Sequence, residues 1–172
     1  MPTRPHAPSR AVRALAVASV LLALAGCSSS PGAPPDDATR ITTGGRHACT
    51  SGEAVALDGQ SRTFILSGQC GTVSLNGNGD TLRIDHAVAI DVQGRSGTIR
   101  ISGRVGSVVI NGNGVALTAD SIGSVKITGQ NNSITAPAIG AVMVQGDHNV
   151  VATDSRPSDY RVNGQDNTLS LN

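Results

Sequence analysis

The stretch Val125-Lys-Ile-Thr-Gly-Gln-Asn-Asn-Ser-Ile134 contains the unit that decides the fold of this chain. Val125 and Ile127 stand four and two places before Gly129, and Ile134 stands five places after it. Alternating aliphatic residues indicate a β-strand with one buried face, and a glycine between two apolar segments indicates a sharp turn. The unit is therefore predicted to be a short strand, a turn and a second short strand, followed by a variable segment.

The same unit recurs through most of the chain at intervals of 17 or 18 residues. Its glycines are Gly59, Gly77, Gly94, Gly112, Gly129, Gly146 and Gly164. A repeat of this length is too short for a helix-containing unit or a propeller blade, and it suits one coil of a β-solenoid. We therefore expect an all-β, single-domain parallel β-solenoid (β-helix) of about seven coils with a 17–18-residue repeat, over residues 47–172.

In a parallel solenoid, like residues of successive coils stack in columns about 4.8 Å apart. Aliphatic side chains are expected inside, and the repeat glycines are expected to turn the chain with positive φ. Asn132, Asn149 and Asn167 stand three places after their glycines. Because stacked amides hydrogen-bond to each other, we interpret them as a structural ladder rather than a ligand site.

The N-terminus has the organisation of an export signal. A positively charged stretch is followed by a short apolar run from Ala14 to Ala25, which is too short for a membrane span. Leu24-Ala-Gly-Cys27 resembles a bacterial lipobox, which implies a signal peptide over residues 1–26 and a lipid on Cys27. The alternative is an ordinary secretory signal with an incidental cysteine. Residues 27–46 begin with a Ser/Pro/Gly-rich stretch and are expected to form the lipidated cysteine and a flexible, disordered linker.

These features predict an exported protein that is held in the cell envelope, outside the cytoplasm, by membrane lipid. Two cysteines, Cys49 and Cys70, remain after Cys27. An even number of cysteines in an exported chain favours a disulfide. Metal ligation is the alternative, but His47 near Cys49 lacks a second pair of ligands in the sequence.

The repeat also resembles a known family. The segments Ser67-Gly-Gln-Cys-Gly-Thr-Val73, Gly129-Gln-Asn-Asn-Ser-Ile134 and Gly164-Gln-Asp-Asn-Thr-Leu169 are similar to those of the bacterial domain-of-unknown-function family numbered 3060. The resemblance covers about residues 47–172 and implies a small exported protein or lipoprotein. It implies no activity, since the family has none assigned.

Charge and composition narrow the function classes. Three of the 13 basic residues lie in the predicted leader, which leaves ten against 12 acidic residues and no basic surface for nucleic acid. No catalytic residue, metal site or cofactor is expected. We expect a non-enzymatic structural or binding module, with an envelope protein or polysaccharide as a possible partner. Arg83 and Arg100 are expected to stack on adjacent coils, where they could contact an anion.

Two alternatives stay open. The open edge of the last coil could associate with another protein or a second copy, because solenoid edges need covering. An enzyme acting on polysaccharide could use Asp85 and Asp120, which would lie two coils apart, at or beyond the spacing of an inverting carboxylate pair. Aspartates at strand ends are more often turn residues, and the repeats contain no long insertion that could form a cleft.

Overall fold

The computed structural model describes residue 1 and residues 35–172. Residues 2–26 of the expected signal peptide, Cys27 and residues 28–34 lie outside the described residues. The strands of the described part are β1 (Thr39–Ile41), β2 (Gly45–Gln60), β3 (Thr63–Asn78), β4 (Thr81–Arg95), β5 (Thr98–Ile110), β6 (Ala116–Thr128), β7 (Ser133–Thr135), β8 (Ala138–Gln145), β9 (Val150–Thr153), β10 (Asp159–Asn163) and β11 (Thr168–Leu171).

All the strand pairings are parallel and join equivalent residues of successive coils. Val108, for example, pairs with Ile90 below it and Val125 above it. The predicted parallel β-solenoid is therefore confirmed. It begins earlier than expected, because β1 lies in the stretch assigned to the linker and pairs with residues 55–57 as the start of a further coil.

The coil has three sides rather than the two strands and variable segment that the sequence suggested. In β5, Ile99 and Ile101 point inward on one side, Val105 on the next and Val108 and Ile110 on the third, and all five are buried. We call the side of Ile99 and Ile101 the second side, that of Val105 the third side, and that of Val108 and Ile110 the first side. The column of Val105 contains the buried residues Cys70, Ala87, Val105, Ile122 and Ile139. The expected variable segment is thus itself a hydrogen-bonded side with its own core column.

One corner accounts for the two repeat lengths. At the corner between the second and third sides, two residues separate Ile84 from Ala87 in the 17-residue coil of β4. Three residues separate Ile101 from Val105 in the 18-residue coil of β5. The register shifts there, and pairing resumes in step on the third side. A single-residue insertion at a corner therefore leaves all three inward columns aligned.

The repeat glycines stack in one line because the backbones of successive coils approach closely there. Gly77 pairs with Gly94 in register, and a Cβ on Gly94 or Gly112 would overlap the carbonyl oxygen of the glycine one coil below. The expected reason, positive φ, is wrong for Gly59, Gly77, Gly94 and Gly112. It holds for Gly129, Gly146 and Gly164, whose φ values are 151°, 140° and 136°.

The left-handed residue of each turn stands two places after the repeat glycine. The residues at this position all have φ between 53° and 70°, and they are Ser61, Gly79, Ser96, Gly114, Asn131, His148 and Asp166. Apart from glycine, asparagine, aspartate and histidine are the residues that adopt this conformation most readily. The position escaped the sequence analysis because its residue type varies from coil to coil.

Candidate functional site

The asparagine ladder, formed by Asn132, Asn149 and Asn167, is a chain of hydrogen bonds along one corner. Asn149 Nδ2 donates to Gly129 O at 2.9 Å and to Asn167 Oδ1 at 3.0 Å. Asn149 Oδ1 accepts from the N–H and the Nδ2 of Asn132, both at 3.0 Å. Asn132 and Asn149 are only 1% exposed. Because the amide groups of Asn132 and Asn149 are satisfied in the interior, these two members of the ladder are structural.

Asp80 occupies the ladder position of its own coil and is 2% exposed. Its Oδ1 accepts a hydrogen bond from the Arg62 N–H at 2.7 Å, as the ladder asparagines do from the coil below. Its Oδ2 has no hydrogen-bond partner among the described residues. A Cβ on Gly77 would overlap both this oxygen and Gly59 O, so the two oxygens lie close together. Both are hydrogen-bond acceptors, whereas at this place in the ladder an asparagine Nδ2 donates to the glycine carbonyl.

We expect Asp80→Asn to stabilise the solenoid by about 1 to 2 kcal/mol, because the new Nδ2 group can donate to Gly59 O and the unpartnered buried oxygen is removed. The measurement is chemical denaturation followed by circular dichroism. Asp85→Asn is the control, since Asp85 is exposed and makes one hydrogen bond, from the Gly68 N–H at 3.2 Å. A lower denaturation midpoint for Asp80→Asn than for the parent would contradict this assignment.

The two aspartates of the enzyme alternative lie on the outside of the solenoid. Asp85 and Asp120 are both exposed, and Asp85 holds the backbone of the coil below through the Gly68 N–H. This is the role of a turn residue rather than of a general acid or base. The geometry therefore adds no support to a carboxylate pair.

An arginine column runs along the second side. Arg83 and Arg100 pair in register on adjacent coils, and Arg46 lies two coils below Arg83 in the same column. All three side chains are exposed. Within residues 35–172, no carboxylate oxygen lies within 4.0 Å of their guanidinium groups. These positive charges are therefore free to contact an anion in solvent.

A shallow groove of about 490 Å³ follows the third side. The residues that line it include Gly106, Gly123 and Gly140, together with Arg104 and Arg156. These glycines form a second glycine column, in which a Cβ on Gly106 would lie 2.6 Å from Val88 O and one on Gly140 would lie 2.5 Å from Gly123 O. This column is not evident in the sequence, because Val88 interrupts its spacing.

The disulfide lies at the N-terminal end of the rod. Cys49 and Cys70 are bonded, with their Cα atoms 5.1 Å apart, as expected from the sequence. The tight backbone at Gly52, whose φ is 79°, returns the chain so that Glu53 pairs with Cys70, between two register shifts. His47 Nε2 lies 2.9 Å from Glu53 Oε1. Sequence reasoning missed Glu53, because nothing in the repeat pattern marks this turn.

The pKa of the Glu53 carboxyl is lowered from 4.5 to about 2, chiefly by the hydrogen bond from the Thr50 N–H, and further by hydrogen bonds from Thr39 and His47. Desolvation opposes this shift but is the smaller effect overall. Because the folded-state pKa is depressed, the stability that Glu53 contributes is complete above about pH 4.5 and is lost as the pH falls toward 2.

We therefore expect the parent protein to lose more stability than Glu53→Gln between pH 4.5 and pH 2. At neutral pH, where the Glu53 carboxylate contributes fully, the parent is expected to be the more stable of the two. Denaturation midpoints measured across this range test the expectation. Parallel curves for the two proteins would show that the Glu53 carboxylate contributes nothing specific.

Comparison with known proteins adds no relative to this picture. No family model, no curated protein and no solved structure matches the chain. Residues 35–172 also contain no helix that is long and apolar enough to cross a membrane.

Proposed function

We propose that this protein is an exported lipoprotein, anchored by a lipid on Cys27, that displays its β-solenoid outside the cytoplasm as a non-enzymatic structural or binding module. The leader with Leu24-Ala-Gly-Cys27 supports the anchor, and the resemblance to the family numbered 3060 agrees with export. The disulfide between Cys49 and Cys70 fits an oxidising compartment.

One observation carries the choice of a module over an enzyme: from Gly59 to Gly164, the repeat glycines that mark successive coils are spaced by only 17 or 18 residues. Solenoid enzymes and binding proteins build deep sites from loops inserted between coils. Coils in this part of the chain differ by single-residue insertions alone, and they present flat sides and shallow grooves. Such surfaces suit contact with an extended partner rather than enclosure of a substrate.

Fractionation of cells that express Cys27→Ser tests the anchor. The variant is expected to move from the membrane fraction to the soluble fraction, because without the lipid the protein loses its attachment. A double variant, Cys49→Ser with Cys70→Ser, is the matched control and should stay in the membrane fraction. Retention of Cys27→Ser in the membrane fraction would refute lipid anchoring at this residue.

The second side supports contact with an anionic envelope partner, such as an acidic polysaccharide. Arg46, Arg83 and Arg100 present positive charges there with no carboxylate within reach among the described residues. The test is photo-crosslinking from two exposed positions, residue 100 on the second side and residue 126 on the first side. Crosslinking to polysaccharide from position 100 alone would support the assignment, whereas equal labelling from both positions would count against it.

Association through the edge of the last coil is a second candidate. Tyr160, Val162 and Leu171 are 39%, 40% and 51% exposed on β10 and β11, although equivalent residues of inner coils are buried. Tyr160 lies above the buried Val142 and is exposed because no described coil covers it. Light scattering at high concentration on residues 38–172 tests self-association, with Val162→Lys as the comparison. A strictly monomeric parent would exclude pairing of two copies through this edge.

A further inference from the structure

We infer that, when the Cys49–Cys70 bond is reduced, His47, Cys49, Glu53 and Cys70 form a binding site for one zinc ion. The imidazole nitrogen of His47, the sulfur of Cys49 and a carboxylate oxygen of Glu53 all lie within 4.8 Å of one another. Cys70 brings the fourth ligand atom, since its sulfur is bonded to that of Cys49. The site is independent of the lipid anchor and of the proposed binding surfaces.

The donor set and its spacing suit zinc. Zinc binds four ligands in a tetrahedron at roughly 2.0 to 2.3 Å, which places neighbouring ligand atoms about 3 to 4 Å apart. His47 and Glu53 would need only to separate slightly from their present 2.9 Å contact to admit the ion. Two thiolates, an imidazole and a carboxylate are ligands that zinc commonly takes in proteins.

Strand pairing and a backbone hydrogen bond, as well as the disulfide, position these four residues. Glu53 and Cys70 are paired across adjacent strands, and Cys49 pairs with Gly68 in the same ladder. The Thr50 N–H donates to Glu53 Oε2 at 2.8 Å, which leaves Oε1 facing His47. Cys70 is 1% exposed, whereas His47, Cys49 and Glu53 are partly exposed, so an ion can reach the site from solvent.

The reaction is a reversible exchange between a disulfide and a metal site. A dithiol reductant donates two electrons and two protons to the Cys49–Cys70 bond, giving two thiols, while its own two thiols become a disulfide. Zinc then binds both sulfurs as thiolates and releases two protons to solvent. In the reverse step a disulfide oxidant accepts two electrons from the Cys49 and Cys70 thiolates and, with two protons from solvent, becomes a dithiol, while the Cys49–Cys70 bond re-forms and zinc leaves. In the disulfide form the two sulfurs are therefore not available to bind zinc.

The experiment uses the full chain carrying Cys27→Ser, so that Cys49 and Cys70 are its only cysteines. The protein is reduced with a dithiol, desalted without air and titrated with zinc against a chromophoric chelator. We expect the reduced form to bind one equivalent and the oxidised form to bind none in competition with the chelator. Cobalt(II) bound in place of zinc should show a sulfur-to-metal charge-transfer band in the reduced form only.

Variants separate a four-ligand site from simple thiol binding. His47→Ala and Glu53→Gln should each weaken zinc binding by about 10-fold or more, given the effect that even supporting residues have on metal affinity. His148→Ala is the matched control, because His148 forms a similar pair with Asp166, at 3.3 Å, with no cysteine beside it. This variant should bind zinc as the parent does.

Circular dichroism reports whether each reduced form is folded. If reduction unfolds the chain, zinc is expected to restore the β-sheet signal, and failure to restore it would overturn the inference. If the reduced chain stays folded, equal zinc affinity in the reduced and oxidised forms would overturn it. Unchanged affinity in both His47→Ala and Glu53→Gln would likewise exclude the site as described.

Discussion

Replacing Gly94 with alanine is expected to destabilise the solenoid by about 3 kcal/mol or more, a cost at the upper end of those measured for overpacking. The added Cβ would overlap Gly77 O and lie 3.0 Å from Gly77 C, and neither atom can move without opening the coil below. Gly94 does not have positive φ, so the loss would report the close approach of the coils and not backbone strain.

Gly97→Ala is the matched control for this substitution. Gly97 lies three residues further along the same turn, and the nearest heavy atom to its added Cβ is Asp80 O at 3.7 Å, an ordinary contact. The free energy of unfolding should therefore change by less than about 0.5 kcal/mol. Denaturant titrations of the two variants and the parent give the comparison, and similar losses in both variants would contradict the proposed role of the glycine column.

Asn149→Ala is expected to cost about 3 kcal/mol, because it removes four hydrogen bonds from one corner of the solenoid and leaves the buried Asn132 N–H without its acceptor. The Asn132 N–H and Nδ2 lose their acceptor, and Gly129 O and Asn167 Oδ1 lose a donor. Asn132 is only 1% exposed, so its amide groups cannot turn to water while the coils stay stacked. The expected loss is therefore larger than that of one hydrogen bond.

Asn111→Ala controls for the loss of an amide side chain as such. Asn111 is exposed, and its Nδ2 makes a 3.5 Å contact with Asp91 Oδ1. Its replacement should change stability by less than about 0.5 kcal/mol, since water can replace the contact. Thermal and denaturant midpoints measured side by side test both values, and a mild effect of Asn149→Ala would show that the ladder is dispensable.

The sequence predicts two sides of the coil well and the third poorly, for a physical reason. Ile99 and Ile101, and Val108 and Ile110, alternate with outward residues, so each pair marks a strand. On the third side only Val105 points inward between residues of mixed type, and one inward residue per coil has no recognisable period. The side becomes visible only when neighbouring coils are stacked.

The turn residues and the proposed zinc ligands could not be predicted from the sequence for the same reason, because their positions depend on how the coils stack. The spacing located the glycine column, but the physical reason for it, contact between successive carbonyl groups, depends on the register of the coils. The left-handed turn position holds residues as different as Ser61, His148 and Asp166, so no residue type reveals it. Glu53 approaches His47 through the turn at Gly52, which interrupts the repeat rather than following it.

Engineered disulfides test the stacking of the coils most directly. Arg100 and Thr118 pair in register on adjacent coils, whereas Arg83 and Thr118 lie two coils apart. With cysteines introduced at positions 100 and 118, we predict a disulfide under mild oxidation, because neighbouring Cα atoms about 5 Å apart suit the bond. With cysteines at 83 and 118, we predict none. Equal yields from the two pairs, or a bond only between 83 and 118, would contradict the stacking on which every comparison between coils depends.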